Sequence, residues 1–211
     1  MGTTTKRAVL FIDGENFQKK VKQAFKAQRL VWDDHRFGRL DLQGLVAAAL
    51  PDIKIDALRY YVAKLHVYPE TKEKSEELVA LQRALKSNLE KQGVEFVMSG
   101  NVRLFKLSDK QLVFKEKGVD VRLAVDAVSM AADKKLKTAI ICSSDSDMQP
   151  VVEELRRRKV RTIYLGFQVQ PNRGLVFTCD ETVLWRNNEL AKHMPKETAK
   201  QIKVRRFDEE E

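Results

Sequence analysis

The stretch Ala8-Val9-Leu10-Phe11-Ile12-Asp13-Gly14 decides the fold. Its apolar run, rich in residues that favour strands, predicts a strand buried on both faces, which is typical of the centre of a parallel sheet. The run ends abruptly at Asp13-Gly14, and apolar residues at helical spacing follow from Glu15 to Gln28. The sequence therefore begins with a strand followed by a helix, as expected of an α/β protein.

The same alternation continues along most of the chain. Apolar patterning predicts helices over 40–50, from about 78 to 93, over 119–130 and from 151 onward, and strands over 53–62, 138–142 and 160–165. Three shorter strands are predicted over 94–98, 102–107 and 111–115, with turns at Gly100-Asn101 and Ser108-Asp109. This order predicts an α/β domain with a mainly parallel sheet.

Composition limits the class of protein. The chain has 211 residues with 39 Lys+Arg, 30 Asp+Glu and 2 Cys, and its net charge is +9. A chain of this length suits one compact domain, and no apolar run approaches the roughly 18 residues that a membrane span needs. We therefore expect a soluble, cytoplasmic protein that neither enters a membrane nor depends on disulfides. The basic charge favours a polyanionic partner such as nucleic acid, and it equally suits a surface adapted for solubility.

Acidic residues follow two of the predicted buried strands. Asp13 ends the first strand, and Asp145 and Asp147 follow the strand over 138–142. In an open parallel sheet, ligands bind beyond the carboxyl ends of the strands. If these two strands are neighbours, the three carboxylates meet at one edge, where their mutual repulsion favours a bound cation such as Mg²⁺ or Mn²⁺.

Other polar residues stand close to these positions. Asp120 lies in the first turn of a predicted helix after Gly118, where capping alone is a sufficient reason for an acid. Asp126 lies about 120° further around that helix, where it either supports the site or faces solvent. Asn16 and Ser144 are placed to orient a carboxylate, a water or a phosphate oxygen.

Three sequence blocks resemble a known family. They are Val9-Leu10-Phe11-Ile12-Asp13-Gly14-Glu15-Asn16, Lys117-Gly118-Val119-Asp120-Val121 and Ile140-Ile141-Cys142-Ser143-Ser144-Asp145-Ser146-Asp147-Met148-Gln149-Pro150-Val151-Val152. Their order and spacing resemble the NYN domain of the LabA-like group, a branch of the PIN-like nucleases. The chain departs from the usual family pattern at Ser144, where glycine is common, and at Met148, where phenylalanine is common.

The resemblance implies a Rossmann-like three-layer α/β/α domain over residues 1–190, followed by a charged C-terminal extension over 191–211 with an acidic tail. It also implies a metal-dependent ribonuclease that uses Mg²⁺ or Mn²⁺. The implied catalytic and metal-binding residues are Asp13, Asp120, Asp145 and Asp147, with Asn16 and Ser144 in support. A homodimer is a further state that the resemblance allows.

The expected partner is RNA, single-stranded or structured. The densest basic run, Arg156, Arg157, Arg158 and Lys159, is predicted to hold RNA by its phosphates, although such a run is equally typical of a solvated helix face. Two other functions stay open at this point. One is an RNA-binding module without catalysis, and the other is a haloacid-dehalogenase-like phosphatase, although Glu15 stands where that class has its second aspartate.

Overall fold

The computed structural model describes residues 7–108 and 111–195. Seven strands form one sheet: β1 (Arg7–Asp13), β2 (Ala57–Lys64), β3 (Glu95–Ser108), β4 (Gln111–Lys117), β5 (Leu136–Cys142), β6 (Arg161–Phe167) and β7 (Glu181–Trp185). The helices of the described residues are α1 (Gly14–Ala27), α2 (Asp34–Phe37), α3 (Leu42–Ala49), α4 (Lys72–Lys91), α5 (Val119–Ala132), α6 (Gln149–Arg157), α7 (Arg173–Thr178) and α8 (Asn187–Lys192).

The strand order is β4-β3-β2-β1-β5-β6-β7, and every pair is parallel except β3 with β4. The chain first builds one side of the sheet outward from β1 and then returns to β1 to build the other side. Leu10 pairs with Ile140, so β1 and β5 are neighbours, which is the condition under which the acids after them meet. Strand order reverses between these two strands, and such a reversal opens a crevice at their carboxyl ends.

Alternate residues of β1 enter two separate cores. Leu10 and Ile12 pack against α1, α3 and α8 on one face, whereas Val9 and Phe11 pack against α5 and α6 on the other. All four side chains are fully buried. The predicted α/β architecture is therefore correct, with helices on both faces of a mainly parallel sheet.

The β3–β4 segment differs from the prediction. The turn expected at Gly100-Asn101 is absent, because β3 continues through it with Gly100 at a φ of 69°. β3 pairs with β2 as far as Asn101 and only with β4 beyond it. The outer half of this hairpin (residues 102–108 and 111–117, the hairpin arm) thus extends past the end of β2.

Three smaller differences lie elsewhere in the chain. Gly166, predicted to end a strand, lies inside β6, and the short helix α2 was not predicted. Met194, beyond the predicted domain end at residue 190, is buried in the core with Leu190. The acidic tail lies outside the described residues. No helix in the described ranges has the length and apolar character to cross a bilayer.

Candidate active site at the carboxyl edge of the sheet

An open cavity of about 440 Å³ lies where β1 and β5 end. Three of the predicted aspartates line it, namely Asp13, Asp120 and Asp145. The other acidic and basic residues that line it are Glu15, Glu116, Lys19 and Lys117. Side chains from three separated segments of the chain therefore meet at the edge that the strand endings predicted.

Asp13 is the most enclosed of these acids, with only 6% of its surface exposed. Its Oδ1 accepts a hydrogen bond from the backbone N–H of Asn16 at 3.1 Å, so it also caps the first turn of α1. The Asn16 side-chain amide donates to Oδ2. Burial raises the pKa of Asp13, the two Asn16 bonds oppose that rise, and the charges of Glu15 and Asp145 add to it.

A chain of hydrogen bonds holds Asn16 in place. The Ser144 hydroxyl donates to Asn16 Oδ1 at 2.7 Å, and the Ser144 carbonyl accepts from the Asn172 side-chain amide at 3.0 Å. The Ser143 hydroxyl lies 3.5 Å from Asp13 Oδ2 and accepts from the backbone N–H of Asp145 at 3.1 Å. These bonds connect the end of β1 to the segments that follow β5 and β6, and they place Asn16 and Ser144 beside Asp13.

Asp145 and Asp147 are placed differently. Asp145 lines the cavity and caps a short 3-10 helix (Ser146–Met148) by accepting from the backbone N–H of Asp147 at 2.9 Å. Asp147 is exposed and does not line this cavity. The structure therefore brings Asp145 to Asp13 and leaves Asp147 at the rim.

Asp120 does not have the capping role that its position suggested. The N-cap of α5 is Gly118, at a φ of 88°, and no side chain caps this end of the helix. Asp120 is exposed in the first turn and lines the cavity. The left-handed conformation at Gly118, which residues other than glycine rarely adopt, turns the chain from β4 into α5.

Glu116 is a site residue that the sequence analysis missed. It lies at the end of β4, and its Oε2 accepts from the backbone N–H of Ala63 at 3.3 Å. Burial and the charges of Glu15 and Asp13 raise the pKa of Glu116 to about 7. The available signal was the alternation along β4, because Glu116 and Phe114 share one face of the strand.

The donor set fits a hard divalent cation in its chemistry. Every acidic residue at the cavity offers carboxylate oxygens, the ligands that Mg²⁺ and Mn²⁺ prefer. Within residues 7–108 and 111–195, however, no three His, Cys, Asp or Glu side chains already stand close enough together to hold a metal ion. The acids share a cavity without forming a preassembled coordination shell.

Asp126 belongs to a different part of the molecule. Its side chain accepts from the Tyr61 hydroxyl at 3.0 Å and from Arg122 Nε at 2.8 Å, and it lies 3.5 Å from Arg59 Nη1. Asp126 lines a surface pocket together with Arg7 and Lys135, which lie at the amino ends of β1 and β5. Asp126 therefore neither supports the acidic cavity nor simply faces solvent, since it pairs with cations on β2 and α5.

The basic run also lies away from the acidic cavity. Helix α6 crosses from the carboxyl end of β5 to the amino end of β6, so Arg156, Arg157, Arg158 and Lys159 lie at the opposite edge of the sheet. Arg157 and Arg158 pair with Glu154 at 2.7 Å, and Arg156 pairs with Asp180 at 2.9 Å. The structure does not bring this run to the aspartates.

Comparison with known proteins completes the description of the site. The model of the family described as NYN domain matches residues 7–185, a span that contains every residue of the acidic cavity. No curated protein matches the sequence. Among solved structures, a protein of unknown function from Vibrio parahaemolyticus is similar at 17% identity, with 87% of this chain and 96% of that chain covered and a TM-score of 0.48.

Proposed function

The chain belongs to the NYN domain family, which is nuclease-like, and from that membership we propose that it is a metal-dependent ribonuclease of the LabA-like group. Its proposed catalytic residues are Asp13, Asp120, Asp145 and Asp147. A cytoplasmic location and RNA as the substrate are parts of the same proposal. The family match leaves the haloacid-dehalogenase-like alternative without support.

One observation carries the proposal. Asp13, Asp120 and Asp145 come from three segments far apart in sequence, yet they line one cavity where the strand order reverses. Gathering carboxylates costs free energy through mutual repulsion; the pKa of Asp13 is raised chiefly by burial, and the charges of Glu15 and Asp145 add to that rise. A bound cation offsets this repulsion, so the arrangement favours a metal-dependent function over a purely structural one.

Mg²⁺ or Mn²⁺ would be held by Asp13, Asp120 and Asp145, with Asp147 at the rim. When bound, such an ion supplies charge stabilisation for a phosphodiester and a more acidic water. The proposed reaction is hydrolysis by in-line attack. The oxygen of a water molecule bonds to phosphorus and gives up one proton, the bond from phosphorus to the 3′ oxygen breaks, and the 3′ oxygen takes up a proton, which leaves a 3′-hydroxyl and a 5′-phosphate.

The residues of the chain have distinct parts in this reaction. Asn16 and Ser143 fix the carboxylate of Asp13, so it approaches the substrate in one orientation. Glu116, with a pKa of about 7, can accept or release a proton at neutral pH. Lys19 and Lys117 line the same cavity and offer ammonium groups to the phosphates of the RNA.

The direct test is cleavage of an end-labelled single-stranded RNA in Mg²⁺, in Mn²⁺ and in EDTA. We expect metal-dependent cleavage by the wild type and a loss of at least about a hundredfold in Asp145→Asn. The matched control is Asp133→Asn, which changes an exposed acid at the end of α5 beside the pocket of Asp126. Cleavage that is equal in Asp145→Asn and the wild type would contradict the site assignment.

The alternative, an RNA-binding module without catalysis, gives a different result in the same experiment. It receives some support from the absence, in the described part of the chain, of a preassembled three-acid cluster. It predicts no cleavage in either metal together with binding of RNA that weakens as salt increases.

A further inference from the structure

A second cavity lies directly beside the acidic one. It has a volume of about 270 Å³ and lies among α1, α2, α4 and the base of the hairpin arm. Glu15 and Glu116 line both cavities, so they form the boundary between them. A ligand group in this cavity would therefore be adjacent to whatever occupies the acidic site.

The walls of this second cavity are mostly apolar and partly aromatic. Leu78, Leu81 and Leu85 line it from α4, and the rings of Tyr60 and Phe114 line it from the sheet and the arm. Its volume is slightly below the range of about 300–1,000 Å³ that is typical of drug-sized ligand sites. A flat aromatic group the size of one nucleobase suits such a space, and aromatic walls favour stacking of a base.

The polar groups of the cavity are biased toward hydrogen-bond acceptors. The side-chain amide N–H of Gln82 donates to the Ala63 carbonyl at 2.9 Å, and that of Gln18 donates to Asp34 Oδ1 at 3.0 Å. Since one N–H of each amide already faces an acceptor, the orientation of both glutamines is fixed, and each offers a ligand its carbonyl oxygen beside its second N–H. The carboxylates of Asp34 and Glu15 add more acceptors, and Glu116 adds another in its ionised form.

We propose that this cavity is a nucleobase subsite that receives an amino-bearing base of the RNA whose phosphate lies in the acidic cavity. The subsite rests on the proposed ribonuclease function. Adenine, cytosine and guanine each present an exocyclic amino group that can donate to these acceptors. Uracil has no amino group, and its single N3–H donor lies between two carbonyl oxygens that would face the carboxylates. Carboxylate and amide oxygens repel the carbonyl oxygens of a base, so uracil is the disfavoured base.

The negative charge of its carboxylates disfavours a phosphate in the second cavity. Three carboxylates line it, and among the residues that the structure describes no lysine, arginine or histidine does. The two adjoining cavities thus divide the nucleotide, with the phosphate beside Lys19 and Lys117 and the base among the leucines of α4.

The test uses free nucleosides, which carry no phosphate and therefore do not depend on the acidic cavity. Binding of adenosine, cytidine and uridine to the full chain is measured by NMR titration in EDTA. We expect adenosine and cytidine to bind at least about fivefold more tightly than uridine. Equal binding of all three, or no binding of any, would overturn the subsite.

Leu81→Trp is the matching variant, because a larger side chain at this half-buried position fills the cavity. We expect it to remove the preference for adenosine and cytidine. The control is Ala80→Trp, which places the same side chain on an exposed position of the same helix and should keep the preference. If Leu81→Trp does not fold, Leu78→Phe tests the same wall. If Leu81→Trp or Leu78→Phe folds and still prefers adenosine and cytidine as the wild type does, the bases bind outside this cavity.

RNA cleavage separates this proposal from the one on which it rests. Base-selective nucleoside binding without RNA cleavage in any metal would contradict the proposed ribonuclease function and support the second cavity as a base-binding site. Cleavage at the same rate next to uridine, adenosine and cytidine would support the proposed ribonuclease function and contradict the nucleobase subsite.

Discussion

Asn16 binds Asp13 twice, through its backbone N–H and through its side-chain amide, while its own Oδ1 accepts from the Ser144 hydroxyl. One asparagine thus connects the first acid of the cavity to the loop that follows β5. Both carboxylate oxygens of Asp13 accept hydrogen bonds, which favours its ionised form in a buried position.

Replacement of Asn16 tests whether the orientation of Asp13 matters. In Asn16→Ala the side-chain bond that lowers the pKa of Asp13 is lost, so that pKa rises further and the carboxylate is less well fixed. We expect RNA cleavage to fall by about 10–100-fold, as is usual when a group that orients a ligand is removed. Gln23→Ala, on an exposed position of α1, is the control. Cleavage equal to that of the wild type would show that Asp13 needs no such support.

The pKa of Glu116 predicts a pH dependence of stability in the metal-free protein. The carboxyl has an ordinary pKa of 4.5 in the unfolded chain and about 7 in the folded one. Between these values the folded state binds more protons, so the free energy of unfolding falls as pH rises from about 4.5 to 7 and is level above that. In Glu116→Gln this fall is absent.

Urea unfolding in EDTA at pH 5 and pH 8 measures the effect. We expect the wild type to lose on the order of 1 kcal/mol more stability between the two values than Glu116→Gln, after allowance for solvent screening. Glu153→Gln, on an exposed position of α6, is the control. Identical pH dependence in Glu116→Gln and the wild type would contradict the raised pKa.

Asp126 should matter for stability and not for chemistry. Its side chain is 14% exposed and pairs with Arg59 and Arg122, and removal of its charge leaves both guanidinium groups without this partner. We expect Asp126→Asn to lose about 1–3 kcal/mol of unfolding free energy and to cleave RNA at nearly the wild-type rate while folded. If Asp126→Asn folds, binds RNA normally and does not cleave it, Asp126 contributes to cleavage and this prediction is wrong.

The position of the basic run predicts which cations hold RNA. Lys117 lines the acidic cavity, whereas Arg157 lies at the opposite edge and pairs with Glu154. We expect Lys117→Ala to weaken RNA binding by about 3–10-fold and Arg157→Ala by less than about twofold at moderate salt, measured by fluorescence anisotropy. A larger loss in Arg157→Ala would show that the RNA extends to the far edge of the sheet.

The meeting of Asp13 and Asp145 could be predicted because both follow apolar strands and parallel strands end at the same edge. The sequence did not predict the path of β3 through Gly100, since a glycine with positive φ is typical of turns and this one remains in a strand. Glu116 was missed for a related reason. The alternation along β4 indicates only that Glu116 shares a face with Phe114; its place at the acidic cavity depends on β4 returning toward the end of β2, which no local pattern encodes.

The basic run illustrates a different limit. The clustering of basic residues suggested that Arg156 and its neighbours hold RNA. Clustering in sequence does not show at which end of the sheet those residues lie. A helix that connects parallel strands must run from the carboxyl edge to the amino edge, so the last turn of α6 lies far from Asp145. The position of Arg156 could therefore have been predicted from the order of strands and helices, because a connection between parallel strands returns to the amino end of the sheet.

The pairing of β1 with β5 also has a consequence for synthesis of the protein on the ribosome. Leu10 cannot meet Ile140 until the chain has grown past β5, because this contact spans more than half of the sequence. Contacts of such long range form late in folding. If the proposed ribonuclease function holds, that order protects the cell's RNA, since a nascent chain that has only Asp13 and Asp120 lacks the third acid of the cavity, Asp145, while its own messenger RNA is still close by.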